Sequence, residues 1–384
     1  MRGIYVHVPF CARKCAYCDF YSVVAGEEAM ERYCGLLLRE LEIVLREFPR
    51  EAEPPADTVY FGGGTPSLLG PVRLRRLLSG IRSRLPVEKT AEVTLEANPG
   101  TLQEEDFPRL LDAGFTRLSL GVQSFRPAVL AALGRIHSAR DARDAFRRAR
   151  EARFPSVGID LIFGTPGQEE ADWEEELREA AALRPDHISA YVLTPEPGTP
   201  LHGRLERGEI ALPSDDATAS MYYTARRRLA AAGYLHYEIS NFALPGQECR
   251  HNGKYWRREG YLGLGPSAHG LLFPGISAPM GMRTANPASL EEYASRVGEE
   301  RIPWAEAEAR SREDAWREFL IFGLRVSEGV SPEEGEKRHG PLPERLSGAV
   351  ERLVASGGLV RDRGRLRIPE AYWFVSNEVL RKLA

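Results

Sequence analysis

Short runs of β-branched and apolar residues alternate along the first half of the chain with longer stretches whose apolar positions recur every three or four residues. Residues 4–8, 58–61, 92–95, 117–122, 157–163 and 187–193 read as strands, since near-continuous runs of this length suit a sheet covered on both faces. Residues 28–48, 71–85, 106–113, 141–153 and 171–183 carry the helical period. Six successive strand–helix units predict an α/β fold with a parallel sheet and right-handed crossovers. That is a partial, six-unit (β/α)6 barrel, open on one side.

Past the sixth unit the rhythm changes. A helix is expected over 215–232 and a strand over 234–239, followed by an aromatic, glycine-rich tract over 242–273. From residue 286 helical patterns return at 288–297, 312–324 and 343–356, ahead of a glycine-punctuated, strand-like segment at 358–368 and a last helix. This order fits a small C-terminal α+β domain of winged-helix type. The expected division is 1–285 for the barrel with its extension and 286–384 for the C-terminal domain.

Composition narrows the function classes. With 384 residues, 43% of them hydrophobic, the chain can bury a large core and a smaller satellite. A formal charge of -4 leaves no electrostatic footprint for nucleic acid, and the arginines from Arg143 to Arg153 are interleaved with acids as on a solvated helix. The apolar start at Ile4 is cut short by Pro9 and no later run has the length of a membrane span, so a cytoplasmic protein that is not integral to a membrane is expected.

Three of the five cysteines crowd into eight residues, a spacing for metal ligation rather than for disulfides. Cys11, Cys15 and Cys18 form C-x-x-x-C-x-x-C directly after the first strand. Thiolates are the usual ligands of iron–sulfur clusters. A [4Fe-4S] cubane held by three cysteines keeps one iron free to chelate the amino and carboxylate groups of S-adenosylmethionine (SAM). A structural zinc site is the alternative, with His7 as a fourth ligand.

The other unusual residues also fall just after strands, where parallel α/β folds place their chemistry. Gly62-Gly63-Gly64-Thr65-Pro66 lacks the spacing of a dinucleotide or phosphate loop, so its glycines are expected to bring backbone close to a ligand. Glu96 ends an apolar strand, where an unpaired carboxylate is unfavourable and a cationic partner is expected. Gln123, Arg135 and Asp160 belong to the same mouth by position, Asp160 being suited to ribose hydroxyls. No side chain stands out as a catalytic acid, base or nucleophile.

These segments, with Tyr5-Val6-His7-Val8-Pro9-Phe10-Cys11, Glu96-Ala97-Asn98-Pro99, Gly121-Val122-Gln123-Ser124-Phe125 and Asp160-Leu161-Ile162-Phe163-Gly164, resemble the coproporphyrinogen dehydrogenase-like radical SAM family over nearly the whole chain. The later stretches 237–242, 251–256 and 261–270 resemble its haem-chaperone branch. The resemblance implies that Tyr5, Gly63, Gly64, Thr65, Glu96, Gln123, Arg135 and Asp160 surround SAM beside the cluster. It further implies haem bound through His251 of His251-Asn252-Gly253-Lys254-Tyr255-Trp256, and delivery to a recipient haem protein, a membrane respiratory enzyme being one candidate. Two departures argue against the oxidative decarboxylase branch: Phe20 stands where that branch has a further cysteine, and the strand bearing His7 starts almost at Met1. A radical SAM enzyme, either a coproporphyrinogen III oxidase or a radical methyltransferase, is the alternative.

Overall fold

The computed structural model describes residues 2–49 and 55–384. Six parallel strands, β1 (Arg2–Val8), β2 (Ala56–Gly63), β3 (Val87–Ala97), β4 (Arg117–Gln123), β5 (Ser156–Phe163) and β6 (His187–Val192), lie side by side in chain order. Between them run α1 (Glu27–Glu47), α2 (Gly70–Arg84), α3 (Asp106–Ala113), α4 (Pro127–Ala132), α5 (Ala139–Glu151) and α6 (Glu170–Leu183).

Alternation along each strand divides the barrel into two environments. Ile4, Val6, Val59, Phe61, Val93, Leu95, Leu118 and Leu120 are fully or almost fully buried and join one apolar core with Leu37 and Leu41 of α1 and Leu74 and Leu77 of α2. Positions of the opposite parity, among them Tyr5, Tyr60, Glu96, Ser119 and Asp160, are polar and face inward. The interior is therefore a stack of hydrogen-bonding groups rather than the aliphatic layers that fill a closed barrel.

After α7 (Pro200–Glu206) and α8 (Asp215–Ala231), the antiparallel pair β7 (Leu235–Glu238) and β8 (Asn241–Ala243) extends the sheet beyond β6. The chain then crosses to the other side. Helix α9 (Arg250–Trp256) precedes β9 (Tyr261–Leu264), which pairs parallel with β1, and β10 (His269–Leu272), β11 (Met282–Ala285) and β12 (Glu306–Ala309) follow as an antiparallel series. The twelve-stranded sheet runs β12-β11-β10-β9-β1-β2-β3-β4-β5-β6-β8-β7 and its two ends are edges, so the barrel is open as expected.

Helix α10 (Leu290–Gly298) packs on α1, burying Tyr293 and Val297 beside Ile43. The C-terminal part comprises α11 (Arg312–Gly323), α12 (Pro332–His339), α13 (Glu344–Ala355), the hairpin β13 (Val360–Asp362) and β14 (Arg365–Arg367), and α14 (Ser376–Leu380), an order of the winged-helix kind. The boundary expected near residue 285 falls between β11 and α10, and β12 beyond it is hydrogen-bonded to β11. No helix of the described residues is long and apolar enough to cross a membrane.

Candidate functional site

A cavity of about 420 Å³ opens at the C-terminal ends of the parallel strands. Cys11, Cys15 and Cys18, all free thiols and half-buried, line one side of it. Their loop is fastened at both ends by backbone bonds, Cys11 N–H to Val23 O at 3.0 Å and Ala16 N–H to Leu133 O at 3.1 Å. Two polar groups reach the sulfurs: the Thr65 hydroxyl lies 3.5 Å from Cys11 Sγ, and Arg135 Nη1 donates to Cys15 Sγ at 3.3 Å. Burial pushes the Cys18 thiol up, so its thiolate depends on a cation or metal being close. Among the described residues no three His, Cys, Asp or Glu side chains converge on a single ion. Three thiols lining one cavity, with polar side chains against two of the sulfurs, suit a larger inorganic core.

The glycine run supports this loop. Gly64 N–H donates to Val8 O at 2.8 Å and Thr65 N–H to Phe10 O at 2.7 Å. A Cβ on Gly64 would lie 2.7 Å from Phe10 O, and Gly63, at φ 108°, would drive one to 2.7 Å from the His7 ring. The close approach these glycines make is first of all to the end of β1, from which the cysteine loop starts.

Across the cavity, Tyr60 OH donates to Glu96 Oε1 at 2.7 Å and Gly63 N–H to Oε2 at 3.2 Å. Burial pushes the Glu96 carboxyl up to about 7 despite the Tyr60 bond, and Asp160 nearby adds to the rise. Ser119 Oγ donates to both oxygens of Asp160, at 3.1 and 3.2 Å, and burial raises that carboxyl as well. Arg135 Nη2 donates to Gly121 O at 2.9 Å and to Asn98 Oδ1, while Asn98 Nδ2 donates to Thr65 Oγ1 at 2.9 Å. Gln123, in the left-handed region at φ 66°, also lines the wall. Two half-buried carboxylates and an exposed backbone rim make a pocket for a ligand that carries positive charge and hydroxyl groups.

Ten of the expected residues therefore share one cavity: the three cysteines, Gly63, Gly64, Thr65, Glu96, Gln123, Arg135 and Asp160. Tyr5 stands behind the wall, its hydroxyl 3.1 Å from His7 Nδ1 and its ring 6.2 Å from that of Tyr60. Asn98 and Ser119 were not singled out from the sequence, yet Asn98 joins Thr65 to Arg135 and Ser119 holds Asp160. Ser119 stands two residues before Gly121 and four before Gln123, so strand parity was the available signal.

His251 does not reach the cavity. Helix α9 closes the opposite, N-terminal end of the strands: Glu92 accepts from the backbone N–H of Arg250 and His251, at 3.2 and 3.0 Å, and Lys254 Nζ pairs with Asp57 at 2.6 Å. The His251 ring has no exposed surface; Nδ1 is 2.8 Å from Thr58 Oγ1 and Nε2 is 2.9 Å from Tyr255 OH. Its face stacks on Tyr60, with ring centroids 5.2 Å apart. In this conformation both nitrogens are engaged and neither is presented to a haem iron. Tyr60 thus touches both ends of the barrel, its ring on His251 and its hydroxyl on Glu96.

The fold and the cysteine-lined cavity define a radical SAM protein. The model of the Radical SAM superfamily matches residues 5–180, and that of the HemN C-terminal domain matches 311–375. The fold is also that of a solved structure, the coproporphyrinogen III oxidase HemN from Escherichia coli, with a TM-score of 0.83 at 23% identity, covering 100% of this chain and 90% of that one. Relatives narrow the assignment. The chain is 38% identical over 373 residues to the heme chaperone HemW of Mycobacterium tuberculosis, covering 95% of this chain and 92% of the relative. It is 33% identical to that of Bacillus subtilis, with 94% and 93% covered, and 42% identical over 71% of each chain to that of Escherichia coli K12. The chain belongs to the HemW family.

Proposed function

We propose that this protein is a haem chaperone, which holds haem and passes it to a recipient haem protein while carrying a [4Fe-4S] cluster and SAM in the cavity at the strand ends. The observation that carries this reading is the near full-length likeness to relatives named heme chaperone HemW. Cys11, Cys15 and Cys18 would hold the cluster, which supplies an iron vertex for SAM and the electron that opens the sulfonium bond. The chain's own groups then have separate tasks. Gly63, Gly64 and Thr65 offer backbone and hydroxyl groups at the rim, Glu96 faces the ligand's positive charge, and Asp160, held by Ser119, takes hydroxyls. Arg135 and Thr65 each reach one of the sulfurs, at 3.3 and 3.5 Å, and so fix the orientation of Cys15 and Cys11. Gln123 and the buried Tyr5 complete the surroundings proposed for SAM. Haem ligation by His251 requires a second conformation, in which the imidazole leaves Thr58 or Tyr255.

Phe20, exposed on the rim where the decarboxylase branch has a cysteine, supports a carrier over a coproporphyrinogen III oxidase. The decisive experiment uses anaerobically reconstituted protein. Iron and sulfide analysis, haem titration, and transfer of bound haem to an apo-haem protein are followed together. Transfer without product from coproporphyrinogen III fits the proposal; protoporphyrinogen formation overturns it. The second reading, a radical SAM enzyme, is favoured by the size of the cavity, and 5′-deoxyadenosine release that depends on an added substrate would establish it.

A further inference from the structure

A second basin of about 420 Å³ lies at the end of the barrel away from the cysteines, just past α9. Its wall holds Arg257, Arg258 and Arg338 with Phe273, and its carboxylates are Asp57 and Glu259. Both carboxylates are tied to the buried Lys254, at 2.6 and 3.2 Å, and Glu259 also takes Arg257 at 2.7 Å. Arg258 is unusual. Its side chain has no exposed surface, Nε pairs with Glu318 at 2.8 Å and Nη2 donates to Met280 O at 2.6 Å, but Nη1 has no partner among the described residues. Glu318 is shared, since Arg283 binds the same carboxylate at 3.0 Å and Arg310, which also pairs with Glu308 at 2.9 Å, reaches it at 3.3 Å. A buried guanidinium nitrogen left without an acceptor adds uncompensated positive charge beneath the basin, which an anion held in the basin offsets.

Beside these cations the loop between β10 and β11 presents apolar surface. Phe273 is 38% exposed with the Arg258 guanidinium 5.8 Å from its ring centre, and Ile276, three residues further on, is 94% exposed. Guanidiniums beside an exposed aromatic side chain, in a loop that also exposes Ile276, match a flat apolar molecule that ends in carboxylates.

We propose that this basin is the docking site for haem, its propionates turned toward the exposed Arg257 above the buried Arg258 and its ring edge against Phe273 and Ile276. The inference rests on the haem-chaperone reading and deepens it. It separates initial docking from iron ligation: haem first meets the protein on the outer side of the α9 turn, while His251 stays buried on the inner side. Carboxylate recognition is then needed for binding and an iron is not.

Metal-free protoporphyrin IX isolates the docking step, with the anisotropy of its own fluorescence as the readout. Arg257→Glu and Ile276→Glu alter exposed side chains and leave the buried Arg258 in place, so both variants keep the fold. Each should weaken protoporphyrin binding at least fivefold, and the dimethyl ester of protoporphyrin should bind the wild type at least tenfold more weakly than the free acid. His251→Asn should change protoporphyrin affinity less than twofold. Equal affinity of both basin variants and the wild type, or of ester and acid, overturns the docking site while leaving the chaperone reading intact. Failure of the wild type to bind haem at all overturns the chaperone reading itself.

Discussion

His251→Ala tests whether the imidazole is part of the architecture as well as a proposed ligand. The substitution removes the contacts to Thr58 Oγ1 and Tyr255 OH and leaves a gap against the Tyr60 ring. Stranding buried hydroxyls costs roughly 1–3 kcal/mol, and an unfilled cavity of side-chain size adds to this, so a loss of about 3–5 kcal/mol is expected. That is a large part of the ~5–15 kcal/mol that holds a typical domain together. Equilibrium urea unfolding of the cluster-free protein measures it. A second readout follows from titration. Burial, with the Lys254 charge adding to it, pushes the His251 imidazole down to about 3 from its ordinary 6.5. The unfolded chain therefore binds more protons than the native one between these values, and this contribution is present above pH 6.5 and lost as pH falls toward 3. The variant should lack that share of the wild type's slope. A stability change under about 1 kcal/mol, or an unchanged slope, would refute the packing argument and leave His251 free to turn outward without penalty.

Alanine at Cys11, Cys15 or Cys18 should abolish the iron and sulfide content of reconstituted protein and its broad visible absorbance, whereas alanine at Cys249, buried beside α9, should retain both. Because the Glu96 carboxyl is raised to about 7, it becomes fully charged only above that pH. SAM affinity by equilibrium dialysis should rise from pH 6 to pH 8, and Glu96→Gln should flatten the profile and bind several-fold more weakly. Gly64→Ala sets a Cβ against Phe10 O and should cost about 1–3 kcal/mol in urea unfolding, with poorer cluster retention. Lys254→Met leaves the buried Asp57 with only the longer 3.5 Å contact to Arg250 and should destabilise by roughly 3–5 kcal/mol, measured in the same way.

All six parallel strands were legible because each buries β-branched and apolar residues at alternate positions or better, and these runs end where the cavity loops begin. The cavity was legible for the same reason: its residues follow strands, and strand order converts sequence position into place. The tract over 242–273 was not resolved into elements. Its strands β8 to β10 are three or four residues long, and α9 has seven, too short for a period to emerge. Helix α12 was missed because it buries only Gly335 and His339 and otherwise reads as a charged loop. His251 shows the limit of a motif. Its neighbours in sequence identify the branch of the family, but the partners that occupy its nitrogens include Thr58, nearly two hundred positions away, and no local pattern carries that distance.

Strand β12 borders solvent at one end of the large sheet, and its four residues, Glu-Ala-Glu-Ala, are all exposed. An unpaired border of backbone donors and acceptors invites another chain to zip onto it. Acidic side chains at alternate positions repel a second copy of the same segment, and alanines offer it little grip. Molecules crowded together are thereby kept from stacking into continuous ribbons, a protection that valine at Glu306 and Glu308 should remove, as light scattering on a concentrated sample would register.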